Sequence, residues 1–432
     1  MPVLDMNKVT SFKEAYQFLV TTVPKTSATA FKGKGGFAQS KLWMASLGNP
    51  QNTHPAIHIA GTSGKGTTSH LISSILEAHN QKTALITSPH AYDLRERILI
   101  GGKKLSHKSF VQVLNRLLPN YAAMKKMGTP PSYFETLMAL GFLAANRGKV
   151  DYCIVETGVG GKLDTSNTIT RPDKLCVLTS IGYDHMNILG NTLQEIASQK
   201  AGIIQTRQRV FSAHQSEEAM GAIRTRCLEV QAKLTVVDAQ KTLKRYGISN
   251  LPKLNRQLYG AHNRSNLALT LEVAEYIAKR DGWDIKPTAV KNAIKDFEIP
   301  GRFEIANLEG EREFVFDGAH NEQKLTALID AVKERYGNER VGFVFASSKE
   351  DPGGKLKILK KRASVIILTR YHSKELDMVR PQVDLEPLAN GKDILYIPKA
   401  KDIVAYIKSS TIKNWVVTGS FYILGEIKDL LR

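Results

Sequence analysis

The chain has 432 residues, 42% of them hydrophobic, and carries 60 Lys and Arg against 41 Asp and Glu, a formal net charge of +19. That length exceeds what one core fills, so two domains are expected, each globular. No apolar run is long enough to span a membrane, the opening MPVLDMNKVTSF lacks the layout of a signal peptide, and Cys153, Cys176 and Cys227 are not in metal spacing. A cytoplasmic protein with no membrane partner, its thiols reduced, is the expectation. The basic residues are dispersed, and the densest clusters, 32–34 and 355–361, lack interleaved aromatics. The charge therefore reads as solvated surface that attracts small polyanions such as nucleotides and polycarboxylates, with no nucleic acid as partner.

In chain order, Phe12, Ala15, Tyr16 and Leu19 recur at helical spacing, 31–37 (FKGKGGF) reads as a flexible basic loop, and 42–48 as a short helix closed by Asn49-Pro50. A short apolar run, 57–60, then breaks into Gly61-Thr62-Ser63-Gly64-Lys65-Gly66-Thr67, and an apolar helix pattern follows through Leu71, Ile72, Ile75 and Leu76. Strand, glycine turn, lysine, hydroxyl and helix make a phosphate cradle: glycines let backbone N–H groups converge on an oxyanion, Lys65 adds a point charge, and the helix adds its dipole. Gly66, standing between the lysine and the hydroxyl, departs from the ordinary nucleotide-binding pattern. The plain alternative is a glycine turn before a helix.

A second strand is expected at 83–87, ending in Ser88-Pro89-His90, then helices over 107–126 and 133–146. A strand over 152–156 ends in an acid and leads into Gly158, Gly160, Gly161, Lys162, Leu163 and Asp164. Another strand at 175–180 leads to Asp184-His185, and a helix over 193–204 carries Lys200. Strands at 210–213 and 234–237 flank a helix at 217–231, and a long helix covers 263–279. This alternation predicts right-handed crossovers and a parallel sheet whose carboxyl edge binds ligands. After a break near 296–302, at Pro300-Gly301, a second alternation begins: strands at 313–316, 341–346, 365–369, 394–397 and 415–418, with helices at 322–336, 401–409 and up to 431. The expected fold class is α/β, a P-loop ATPase domain with a parallel sheet over 1–299 plus a smaller Rossmann-like C-terminal α/β domain over 300–432.

Ser88, Glu156, His185 and Lys200 fall at or just beyond neighbouring strand ends. A hydroxyl, a carboxylate and an imidazole near bound phosphates can hold Mg2+ or Mn2+. Alone, His185 reads as a structural histidine and Lys200 as a helix-surface lysine, since an ammonium beside a metal is repelled. Carboxylation by CO2 would turn that lysine into an oxygen ligand. In the second domain, Asp317 could hold a ribose hydroxyl and Arg302 a phosphate from across an interdomain cleft, while the plain reading of 317–321 is a turn with Asn321 as N-cap.

Taken together, LGNPQ at 47–51, GTSGKGT at 61–67, SPH at 88–90, ERI at 96–98, SYFE at 132–135, ETGVGGKLDTSN at 156–167, SIGYDH at 180–185, KAGII at 200–204, PGRFE at 300–304, DGAHN at 317–321 and TGSFY at 418–422 resemble the folylpolyglutamate synthase/dihydrofolate synthase family, relatives of the Mur ligases. Gly66 separates this family from the Mur ligases proper. The resemblance implies an ATP-dependent ligase that adds L-glutamate to dihydropteroate or a reduced folate through an acyl phosphate, acting as a monomer. It implies that Thr62, Ser63, Gly64 and Lys65 hold ATP phosphates, with Asn266, Arg302, Asp317 and His320 also at the nucleotide. Ser88, Glu156, His185 and an N6-carboxylated Lys200 would bind one or two Mg2+ ions, and Lys65, Glu156, His185 and Lys200 would be the catalytic set. Ser132, Leu163, Asp164 and Thr165 would line the pterin site. The family usually has asparagine at 63, leucine at 91, arginine at 162 and Ala-Thr-Asn at 165–167, where this chain has Ser63, Ala91, Lys162 and Thr165-Ser166-Asn167. Rival readings are a Mur-type ligase acting on another carboxylate, an NTP-dependent nucleic-acid-binding protein, and a nucleotide-binding scaffold without catalysis.

Overall fold

Five consecutive buried residues, Ala56–Ala60, form β1 at the centre of an eight-stranded sheet. The computed structural model describes residues 8–25, 34–308, 312–347, 352–371 and 384–432. The chain divides into two units, the first comprising Met1–Ser88, Leu94–Ile248 and Ser265–Lys295 and the second Pro89–Asp93, Ser249–Arg264 and Asp296–Arg432.

In the first unit the remaining strands are β2 (Thr83–Ile86), β3 (Ile98–Ile100), β4 (Lys103–Lys104), β5 (Tyr152–Glu156), β6 (Leu175–Leu178), β7 (Arg209–Ser212) and β8 (Lys233–Val236). Their order is β4-β3-β2-β5-β1-β6-β7-β8. All pairings from β2 to β8 are parallel, and only β3 and β4 are antiparallel, on one edge. Strands β1, β2, β5 and β6 are buried at every position, as a sheet covered on both faces requires. One face packs against the helices His107–Lys126 and Tyr133–Gly148, whose Phe110, Leu114, Leu140 and Phe142 lie in one core with Ala84 and Ile86. Another core joins Cys176 and Leu178 to Ile196 and Ile223 of the helices Leu193–Ala201 and Glu217–Glu229. The order reverses direction at β1, which has β5 on one side and β6 on the other, and such a switch point opens a crevice at the carboxyl ends of the strands.

The expected basic loop over 31–37 is only partly within the described residues. From Lys34 the chain is already helical, through Ser46, so the short helix expected at 42–48 starts much earlier. Two glycines weaken the propensity of that first turn. Tertiary contacts override it: Trp43 and Met44 are buried, and the Trp43 indole donates to the Glu135 carbonyl at 3.1 Å. All three cysteines are buried and free of disulfides. Among the described residues no helix is long and apolar enough to cross a membrane.

The second unit has a six-stranded sheet of β9 (Glu304–Leu308), β10 (Arg312–Phe316), β11 (Val341–Phe345), β12 (Ala363–Leu368), β13 (Ile394–Tyr396) and β14 (Asn414–Thr418), ordered β13-β12-β11-β14-β10-β9. It is parallel except for β9, which pairs antiparallel with β10. Helix Glu322–Tyr336 shares a core with one face, while Ala400–Ser409 and Phe421–Leu431 share a core with the other. Gly342 lets β11 lie against the Trp415 ring: a Cβ there would come within 2.5 Å of the indole. Gly342→Ala should therefore destabilise the unit by about 1–3 kcal/mol through overpacking, read as a lower urea midpoint.

Candidate active site

The turn between β1 and the helix Lys65–Glu77 is built for close approach. Gly64 caps the helix at φ +87°, and a Cβ on it would lie 2.4 Å from Asn266 Oδ1. Asn266, from the helix Ala261–Asp281, therefore sits directly against the cradle. Gly61 is equally confined, since a Cβ at that position would fall 1.9 Å from Thr179 Oγ1. The Thr62 and Ser63 amides donate to the Ser180 carbonyl at 2.9 and 3.1 Å, and Thr62 Oγ1 donates to the Gly182 carbonyl at 2.9 Å. Thr62 thus ties the turn to the 180–182 segment, and the amides at the helix start are those without an intrahelical acceptor. Gly64→Ala should weaken ATP binding by about tenfold or more, measured by calorimetry, because the new methyl must displace Asn266 and adopt a left-handed φ.

Glu156 ends β5 in register beside Ile59 of β1, so it emerges next to this turn. Its carboxylate is 4% exposed and stands 3.9 Å from Lys65 Nζ. The Ser88 amide donates to the other oxygen at 3.2 Å. Lys200 is buried, and its Nζ donates to the Gly61 carbonyl at 2.9 Å. The surface position that its helix pattern implied is thereby overturned: the last turn of Leu193–Ala201 faces the cradle, not solvent. Lys162 N donates to the Gln199 carbonyl at 2.7 Å, which binds the loop after Glu156 to that same helix. His185 follows the 180–182 segment with φ 51°, a left-handed backbone uncommon for a non-glycine residue, and its Nε2 lies 3.8 Å from Asp184 Oδ1. Ser88, Glu156, Lys65 and Lys200 are thus all tied to one turn, and His185 to the segment that braces it.

Among the described residues no group of three or more His, Cys, Asp or Glu could by itself hold a metal ion. The donor set nevertheless fits Mg2+, which keeps several waters and takes one or two carboxylates together with substrate phosphates. Glu156 and the Ser88 side chain are hard oxygen donors, and the Ser88 amide ties the two residues together.

The residues expected at a pterin meet in a second polar cluster. Ser132 caps the helix Tyr133–Gly148 in a capping box with Glu135. Glu135 is buried, and its other oxygen accepts from Ser40 Oγ at 2.6 Å, which in turn is 3.1 Å from Thr165 Oγ1. Asp164 is buried, burial pushes its carboxyl up from the ordinary value, and four donors hold it in place. Leu163 alone of this group is exposed. Ser40 and Glu135 were not among the expected residues. The S-x-x-E spacing at 132–135 is a legible capping signal, but nothing local marks Ser40.

In the second unit Arg302, Asp317 and His320 gather where β10 ends. The Phe303 and Ala319 amides each donate to Asp317 at 2.8 Å, and burial raises its carboxyl while the Arg302 charge lowers it. Arg302 lies over the Phe421 ring at 4.2 Å. His320 Nδ1 is 2.8 Å from the Gly318 carbonyl, and its Nε2 is 3.2 Å from Lys324 Nζ. A neutral ring with Nδ1–H satisfies both contacts. Phe303 has φ 43°, strain stored beside the cluster. Asn321 does cap the helix Glu322–Tyr336, accepting from Lys324 N at 2.9 Å.

A glycine cradle at the switch point of a parallel sheet, followed by a separate α/β unit, is the layout of an ATP-dependent ligase. Residues 59–308 match the Mur ligase middle domain and residues 301–420 the Mur ligase glutamate ligase domain, and the chain belongs to the Mur ligase family. The dihydrofolate synthase/folylpolyglutamate synthase of Bacillus subtilis is 31% identical over 420 residues, 93% of this chain and 96% of that protein. The dihydrofolate synthetase of Saccharomyces cerevisiae is 27% identical, over 91% of this chain and 96% of that protein. Mycobacterium tuberculosis folylpolyglutamate synthase, solved with ADP and AMPPCP, shares the fold with a TM-score of 0.79 and 24% identity, covering 96% of this chain and 97% of that chain. The resemblance carried by the short motifs therefore extends along nearly the whole chain.

Proposed function

We propose that this protein is an ATP-dependent carboxylate–amine ligase that joins L-glutamate to a pterin acid, making dihydrofolate from dihydropteroate, lengthening the glutamate tail of a reduced folate, or both. The observation that carries the reading is Lys65 Nζ at 3.9 Å from the buried Glu156 carboxylate, at the mouth of the glycine turn. In the first step an oxygen of the substrate carboxylate attacks the terminal phosphorus of ATP; the bond to the bridging oxygen breaks, giving an acyl phosphate and ADP. The glutamate amine then attacks the carbonyl carbon, the carbon–oxygen bond to phosphate breaks, and the amine loses its proton. Gly64 and Lys65 bind the phosphates, Ser63 and Asn266 flank them, and Thr62 braces the turn. Lys65 opposes the repulsion between two anions brought together for the first step, and alignment supplies much of the acceleration. Mg2+, when bound, neutralises phosphate charge; Ser88, Glu156, His185 and an N6-carboxylated Lys200 would hold one or two ions. Arg302, Asp317 and His320 serve the same nucleotide, and Ser132, Leu163, Asp164 and Thr165 the pterin. The basic surplus of the chain suits ATP and polyglutamate tails. Three buried thiols suit a reducing cytoplasm, and a monomer is the proposed state.

The test is ADP release with ATP, glutamate and each of dihydropteroate, tetrahydrofolate and a UDP-sugar peptide, with products weighed by mass spectrometry. Glutamate-dependent release with a pterin acid is expected. Release with the peptide alone would transfer the protein to another branch of the family, and release stimulated by nucleic acid with a steep salt dependence would remove it from ligases.

A further inference from the structure

A buried polar chain runs from the strand that leads into the glycine turn to the loop that follows Glu156. Asp164 Oδ2 accepts from the Gly158 and Val159 amides at 3.0 and 2.9 Å, and Oδ1 from the Ser166 amide and hydroxyl at 2.9 and 2.5 Å. The carboxylate therefore pins the turn immediately after Glu156. Ser166 Oγ also lies 2.8 Å from His58 Nε2. A hydroxyl has one proton, and an ionised carboxylate can only accept. Ser166 therefore gives its proton to Asp164 and must receive one from His58, which fixes the Nε2–H tautomer.

Everything around His58 favours that neutral form. It is wholly buried on β1, level with Val155 of β5, the residue before Glu156. Burial and the nearby Lys174 charge hold its pKa well below the ordinary histidine value. Lys174 is itself buried and is spent on the Ile169 and Ile203 carbonyls at 3.2 and 3.0 Å. His58 Nδ1, the acceptor nitrogen of this tautomer, has no hydrogen-bond partner among the described residues. An ordinary core histidine would satisfy both nitrogens. This one leaves a buried lone pair unmet while the other nitrogen supports a carboxylate that burial would otherwise drive toward its protonated form.

We propose that His58 and Ser166 are positioning residues for the ligase reaction: the chain His58–Ser166–Asp164 holds the Asp164 carboxyl against the Gly158 and Val159 amides and so fixes the turn joining Glu156 to the acid-substrate pocket. The proposal rests on the ligase reading given above. Loss of the chain should therefore loosen the pterin acid without affecting the glycine cradle's grip on ATP. Ser166→Ala and His58→Leu are expected to raise KM for the pterin acid about tenfold, with the Kd for ATP within about twofold of the parent. Ser166→Thr keeps the hydroxyl, and His58→Gln keeps a donor where Nε2 stands; both should return KM to within about threefold of the parent. A merely structural role would lower the urea midpoint in all four variants and leave KM for the acid unmoved.

A second measurement needs no turnover and no folded alanine variant. In imidazole-15N-labelled parent protein, His58 should show the Nε2–H tautomer with a slowly exchanging ring proton. In Ser166→Thr that signal should persist. An Nδ1–H tautomer in the parent, or an unchanged KM in Ser166→Ala, would overturn the proposal. Absence of glutamate-dependent ADP release in the parent protein would instead overturn the ligase reading, and with it the reaction these residues are said to serve, while the tautomer still reports whether the chain itself exists.

Discussion

Lys65→Ala is expected to abolish glutamate-dependent ADP release while leaving the fold standing. The ammonium stands at the end of the glycine turn, 3.9 Å from the Glu156 carboxylate. In the proposed role its removal would take away charge stabilisation at the transferring phosphoryl, so kcat/KM for ATP should fall by about 10³ or more. Two effects have to be separated. Without Lys65 the buried Glu156 also loses its partner cation, which by itself would cost stability. Lys65→Ala combined with Glu156→Gln removes both charges. It should recover the urea midpoint but none of the turnover, and Lys65→Arg should recover part of the binding and little of the rate, since a planar fork cannot replace a point charge in a tight turn. Near-normal turnover in Lys65→Ala would end the phosphate assignment.

How much of the molecule is legible in its sequence follows from how local each signal is. Strand β5 is a run of apolar residues closed by an acid, and the sequence pattern places it at 152–156, the same five residues observed. Helices His107–Lys126 and Glu322–Tyr336 likewise carry their apolar faces and Ser or Asn caps in the chain itself. Strand β9 was missed because its residues are half-buried on an antiparallel edge and carry no continuous apolar run. Lys200 shows the limit most clearly. A lone lysine in a helical pattern reads as solvated, and the carbonyl that buries it belongs to Gly61, 139 positions away. Ser40 and His58 were invisible for the same reason, since their partners Glu135 and Ser166 lie 95 and 108 positions distant. Motif order pointed to the proposed site. The polar contacts that hold it together are set by tertiary packing, which no local window reports.

Lys200→Ala tests the finer chemistry of the site. Two roles are open to a buried lysine that donates to the Gly61 carbonyl at 2.9 Å. As a structural donor it would contribute about 1 kcal/mol, and its loss would leave one carbonyl of the glycine turn unmet. As a carboxylated residue it would supply an anionic oxygen close to the phosphates, and its loss would weaken Mg2+ binding together with the rate. In that second role the alanine variant would lose about 10² or more in kcat, because water would not replace the missing anionic oxygen at equal charge. The two roles separate by rescue. Formate or acetate should restore part of the activity if an anionic oxygen is missing, whereas small alkylammonium ions should restore it if the missing group is a cationic donor. Removing dissolved CO2 from the parent protein should lower its rate reversibly in the first case and leave it unchanged in the second. Rescue by ammonium alone, or full activity in Lys200→Ala, would remove Lys200 from the proposed metal-binding set.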